Sequence, residues 1–167
     1  MSFDNFKMFF SDHLPRYKGE DIFFFGIGNK YRADDSFGII LAEELRKTLP
    51  EQVFAETDDY QEKLLELSES LKGKLVLFLD VAEFDEDPGT IRVFEAEELD
   101  DNSAGFHKVP LKLYMSLIKQ AGNETYLIAV QPKTLKDTFY EPEISKEVQE
   151  AIDEIENLIF TNIRKEK

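Results

Sequence analysis

The 167-residue chain contains no cysteine, which removes disulfides, thiolate metal sites and a cysteine nucleophile together and leaves oxygen and imidazole groups as the possible metal ligands. That usage suits a reducing compartment, and a cytoplasmic protein is the expectation. No segment is apolar for the roughly 20 residues that a bilayer requires, and Met1 to Leu14 lacks the basic start and apolar run of a secretory signal, so neither insertion nor export by that route is expected. Basic residues are scarce: 20 Lys and Arg stand against 35 Asp and Glu, a formal net charge of -15. Such a surface repels phosphodiester backbones, so nucleic acid is not an expected partner. The acidic excess reads first as a solvated surface, and a preference for a basic partner segment is the sharper alternative. There is also no internal repeat and no Pro, Gly or Ser-rich linker. One domain over 1-167 is expected, with 1-20 an N-terminal extension and 21-167 the core, acting as a monomer.

What is present is an alternation of apolar runs of two lengths, as βα units produce. Asp21 to Ile27 (DIFFFGI) and Lys74 to Asp80 (KLVLFLD) are continuous apolar runs, as expected of strands buried on both faces. Ser36 to Leu49 carries Phe37, Ile40, Leu41 and Leu45 at helical spacing and ends before Pro50. Gln52 to Glu56 reads as a short strand, and Tyr60 to Leu71 as a helix. After the turn at Asp87, Pro88 and Gly89, Thr90 to Phe94 alternates Ile91 and Val93 against Arg92 and Phe94. With no crossover helix before it, this strand is expected to be antiparallel at an edge. Pro110 to Ala121 reads as an amphipathic helix, Thr125 to Val130 as a last strand stopped at Pro132, and Ile144 to Ile163 as a long helix facing inward through Val148, Ile152, Ile155 and Ile159. Residues before Glu20 are expected to form an extra amphipathic turn or helix. The fold class is α/β.

Three features carry the chemistry. The first, GIGNKYRADDSFG from Gly26 to Gly38, leaves a buried strand and enters a helix where nucleotide-binding folds place a phosphate loop. A dinucleotide fingerprint needs a third glycine where Tyr31 stands, and no Gly-Lys-Ser/Thr ending exists. Asp34 and Asp35 at the helix start also spend its positive dipole end on carboxylates. One of these acids suffices to cap the helix, which leaves Asp35 to point into the crevice outside the strand ends. The second feature is Asp80, a lone carboxylate closing an apolar strand on the same sheet edge. Two close carboxylates repel each other unless a proton or cation sits between them. The third is His107, in a loop before Pro110. Together the three make a two-carboxylate, one-imidazole set suited to a divalent ion such as nickel, zinc, iron or manganese. Ser36 has no histidine partner within reach and no Gly-x-Ser-x-Gly elbow, so a serine hydrolase is not expected. Nothing around the other histidine, His13, suggests a role.

The segments GIGNKYRADDSFG, VLFLDVAEFDEDPGTIRVF, FHKVPLKLYMSL and LIAVQP occur in the order and spacing of hydrogenase maturation endopeptidases, which process the large subunits of nickel-iron hydrogenases. The chain resembles that family from about Ile22 to Ile159. Its later part, FYEPEISKEVQEAI, is most similar to the branch serving formate hydrogenlyase-type and energy-converting hydrogenases. The resemblance implies a three-layer α/β/α sandwich with a mixed five-stranded sheet ordered 2-1-3-5-4 and strand 4 antiparallel. It implies nickel ligands at Asp35, Asp80 and His107, the same residues being catalytic; apart from the resemblance, Asn29, the backbone N–H groups of the Gly28 loop and Asp34 are candidate substrate contacts. It implies cleavage of a short C-terminal extension from the nickel-loaded large-subunit precursor, with nickel carried by the substrate and read as the recognition signal. A non-catalytic nickel-binding or large-subunit-binding maturation chaperone is the alternative. Two positions depart from the family's pattern: ETDDYQEKLLEL, Glu56 to Leu67, replaces a stretch that often contains glycine, and Ser36 stands where glycine is common.

Overall fold

A computed structural model describes residues 5-56, 60-99, 110-138 and 143-163. At its centre lie β1 (Ile22–Gly26), β2 (Val53–Ala55), β3 (Leu75–Val81), β4 (Ile91–Phe94) and β5 (Glu124–Val130), in the sheet order β2-β1-β3-β5-β4. The β1/β2, β1/β3 and β3/β5 pairs are parallel, and β4 runs antiparallel to β5. This is the order implied by the resemblance, and the β4 direction is the one read from the absent crossover helix.

Among the described residues, the sheet is covered by the longer helices α1 (Phe37–Arg46), α2 (Gln61–Glu69), α3 (Leu111–Gln120) and α4 (Lys146–Asn162). The two-residue side-chain period of the strands divides the core into two layers. On one face Ile22, Phe24, Leu75, Leu77 and Leu79 pack with Phe37, Leu41 and Leu45 of α1 and with Val148, Ile152, Ile155 and Ile159 of α4. On the other, Phe23, Phe25, Val76 and Phe78 pack with Leu64 and Leu67 of α2 and Leu111, Met115 and Ile118 of α3. Both faces of β1 and β3 are therefore covered, which is why their sequences are apolar throughout rather than alternating. In β4 the alternation survives, with Ile91 and Val93 buried and Arg92 exposed.

The N-terminal segment does form helical turns, from Phe6 to Arg16, and buries Phe9, Phe10 and Leu14 against the α1/α4 layer. His13, for which no role was expected, is 4% exposed and places Nε2 2.6 Å from Glu124 Oε2 at the start of β5. Among the described residues, no helix is long and apolar enough to cross a membrane.

Candidate active site

The connection after β1 passes through α1 on one face, and the connection after β2 passes through α2 on the other. Winding reverses between β1 and β3, and the crevice outside the C-terminal ends of those strands is where open α/β sheets receive ligands. Register pairs Gly26, the last residue of β1, with Leu79, so β3 carries Asp80 and Val81 two residues past the end of β1. A Cβ at Gly38 would lie 2.2 Å from the carbonyl oxygens of both Ile27 and Leu79. Only a glycine lets α1 press this closely, and the approach sets the turn before α1 over the end of β3.

That turn holds the two acids. Ala33–Ser36 is a tight helical turn, entered through Ala33 at φ 46. A non-glycine residue in this left-handed region is strained, and such strain persists where surrounding contacts enforce it. Gly28 has φ +154, and a Cβ there would meet the Asp35 carbonyl oxygen at 2.1 Å. Its neighbour Asn29 donates its backbone N–H to that same oxygen at 3.1 Å.

Asp34 does not cap α1, whose N-cap is Ser36. Its carboxylate accepts from the backbone N–H groups of Lys133 (2.8 Å), Thr134 (3.2 Å) and Ser145 (2.7 Å), and from the Ser145 hydroxyl (2.9 Å). Four donors match the acceptor capacity of one carboxylate. The side chain expected among the substrate contacts is thus engaged in fastening the loop to the segment after β5 and to the start of α4. Ser36 donates its hydroxyl to the Ala33 carbonyl at 2.7 Å, so a serine in place of the common glycine adds a bond inside the turn.

Asp35 is fully buried, with Arg32 Nη1 3.9 Å from its Oδ2. Asp80 is also fully buried, one residue before β3 ends, and its Oδ1 accepts the Val81 N–H at 2.8 Å. By strand period it shares the face of Val76 and Phe78. The tertiary structure brings Asp35 and Asp80 to the ends of adjacent strands. His107 lies outside the described residues, four positions before α3 begins on that same face. Among the described residues, no three His, Cys, Asp or Glu side chains group as a metal site.

Two further residues organise the crevice. Glu56, just after β2, accepts the Gly28 N–H at 3.0 Å and so fastens the loop to the end of the neighbouring strand. Gln131, at the end of β5, is 5% exposed. Its Oε1 accepts the Phe84 N–H at 2.8 Å and its Nε2 donates to Glu83 at 2.7 Å, which orders the loop after Asp80. The run LIAVQP marked this position in the sequence, but nothing local ties Gln131 to residues 47 and 48 positions earlier.

Comparison with known proteins follows the same lines. A family model described as hydrogenase maturation protease matches residues 60–162. A protein of Methanocaldococcus jannaschii assigned as a hydrogenase maturation protease is 30% identical over 155 residues, covering 89% of this chain and 99% of its own length. A second, from the same organism and with the same assignment, is 24% identical over 152 residues, covering 85% of this chain and 88% of its own length. Among solved structures, a [NiFe] hydrogenase maturation protease HycI from Thermococcus kodakarensis superposes with a TM-score of 0.70 at 24% identity, over 86% of this chain and 92% of that one. The endopeptidase HycI from Escherichia coli gives a TM-score of 0.63 at 20% identity, over 83% and 89%. At these identities the superpositions establish the fold.

Proposed function

The chain belongs to the hydrogenase maturation protease family, and from that premise we propose that it removes the C-terminal extension of a nickel-iron hydrogenase large-subunit precursor, reading the nickel already inserted there as its signal. The observation that supports this most is the complete burial of Asp80, at the end of β3, and of Asp35, in the turn before α1 that follows the adjacent parallel strand. Buried carboxylates are costly unless positive charge compensates them. Arg32 brings positive charge to Asp35, and a divalent ion arriving with the substrate adds positive charge at the same place. Two carboxylate oxygens and the His107 imidazole form a donor set that first-row divalent ions accept.

Hydrolysis adds one water across the peptide bond, its oxygen to the carbonyl carbon and a proton to the departing amine. The carboxylates at the crevice are the chain's own groups for taking up and passing on that proton. Asp34 acts as a positioning residue, since it ties the loop carrying Asp35 to α4.

Incubating the purified protein with nickel-loaded and nickel-free precursor and weighing the products tests the proposal. Truncation of the nickel-loaded form alone is expected. Binding of that form without truncation would replace the proteolytic reading with a chaperone role.

A further inference from the structure

Next to Asp35 lies a second recess, of about 280 Å³, lined by Asn29, Tyr31, Arg32, Asp137 and Thr138. Arg32 joins it to the carboxylate site, with Nη1 3.9 Å from Asp35 and Nε 3.7 Å from Asp137. Thr138 donates its backbone N–H to the Tyr31 carbonyl at 2.6 Å, which fixes one wall against the other. Thr138 is 6% exposed, and its Oγ1 is buried without a hydrogen-bond partner. A buried hydroxyl in that state destabilises the free protein, and valine would fill the same space without the penalty. Tyr31, on the outer side, is 55% exposed.

We infer that this recess is a subsite for the substrate polypeptide, holding the one or two residues beside the scissile bond in extended form; the inference rests on the proteolytic reading above. On binding, the Thr138 hydroxyl turns from its buried position in the wall to donate to one main-chain carbonyl oxygen, the Asn29 side-chain amide donates to another, and a substrate side chain lies on the Tyr31 ring. Asn29 is oriented for this by accepting the Tyr31 N–H at 2.9 Å through Oδ1, which leaves its NH₂ to donate. A free anion is not the occupant, because the charge of Arg32 is already shared between Asp35 and Asp137. A neutral, acceptor-rich peptide chain matches what remains.

Two measurements decide the matter. In steady-state cleavage of nickel-loaded precursor, Thr138→Val and Tyr31→Ala are each expected to raise KM about three- to tenfold, the loss of one ordinary contact, with kcat within about twofold. Thr138→Val should melt at or above the wild-type temperature, which separates lost binding from lost folding. In the second measurement, a synthetic peptide spanning the cleavage site is titrated into ¹⁵N-labelled protein. Shifts at the Asn29 side-chain amide and at Thr138 are expected. An unchanged KM in Thr138→Val, or peptide shifts confined to Leu65 and Leu117, which line a separate groove between α2 and α3, overturns the subsite. If wild-type protein leaves the precursor whole, the proteolytic reading falls, and the titration still decides: shifts at Asn29 and Thr138 support the subsite and their absence overturns it.

Discussion

Asp34 and Ser145 stand 111 positions apart and are joined twice, by the Ser145 N–H to Oδ1 at 2.7 Å and by its hydroxyl to Oδ2 at 2.9 Å. Ser145 is also the N-cap of α4, where it accepts the Val148 N–H at 3.3 Å. The start of the last helix and the loop carrying Asp35 therefore move as one unit. Replacing Asp34 by Ala strands four donors and should cost on the order of 3 kcal/mol. Ser145→Ala loses the cap and one bond, about 1 to 2 kcal/mol. Equilibrium urea unfolding measures both, and an Asp34→Ala variant as stable as wild type would refute the positioning role.

The neighbouring acid is expected to behave in the opposite way. Asp35→Asn and Asp80→Asn keep side-chain shape, so circular dichroism and melting should stay near wild type. Cleavage of nickel-loaded precursor should fall by about a hundredfold or more in each, as when a group acting on the reacting atoms is removed. His107→Ala should do the same. An unaffected His107 variant would remove that residue from the ligand set and leave the two aspartates to account for the site.

Gly28 tests the loop by sterics alone. Its φ of +154 and the 2.1 Å gap between a built Cβ and the Asp35 carbonyl mean that Gly28→Ala must push the loop away from Asp35. A stability loss of about 1 to 3 kcal/mol is expected, with reduced cleavage although no acid is changed. Normal activity in that variant would show that the loop position does not matter for the reaction.

At the opposite edge of the sheet, burial alone would push the Glu124 carboxyl up, but the hydrogen bond and charge of His13, with hydrogen bonds from Tyr17 and Tyr126, outweigh it and hold the group below the ordinary range. Burial and the Glu124 charge in turn push the Tyr17 and Tyr126 hydroxyls up. For a depressed carboxylate, the stabilisation is present above the unfolded-state pKa and is lost as pH falls through the folded value. Glu124→Gln should therefore unfold at lower urea than wild type near neutral pH, with the gap closing as the buffer is taken below about pH 4. A gap that stays constant with pH would show that the His13 contact acts through packing alone.

Most of the sheet could be read directly from the chain. The runs at Asp21 to Ile27 and Lys74 to Asp80 are apolar at every position because helices cover both faces, and β4 keeps its alternation because Arg92 faces out. The helix periods of α1 and α4 likewise reflect one buried stripe each. These signals are local, since they record how one element meets its layer. The site was only partly visible. Asp35 and Asp80 could be placed on one edge from the βα order, but two adjacent aspartates offer no local sign of which one faces inward and which one serves as a tether.

The composition and order of the sequence by themselves determined the layered α/β architecture, the antiparallel edge strand and the sheet edge on which the acids gather, because burial period and crossover length are properties of contiguous segments. Tertiary structure alone decided that Asp34 belongs to Ser145, that Glu56 holds the Gly28 amide, that His13 meets Glu124 and that the Thr138 hydroxyl is buried in the wall of a recess. Each of these joins groups from distant parts of the chain. Their pairing depends on where folded backbones pass one another and on which donors remain once the helices and strands have used their own.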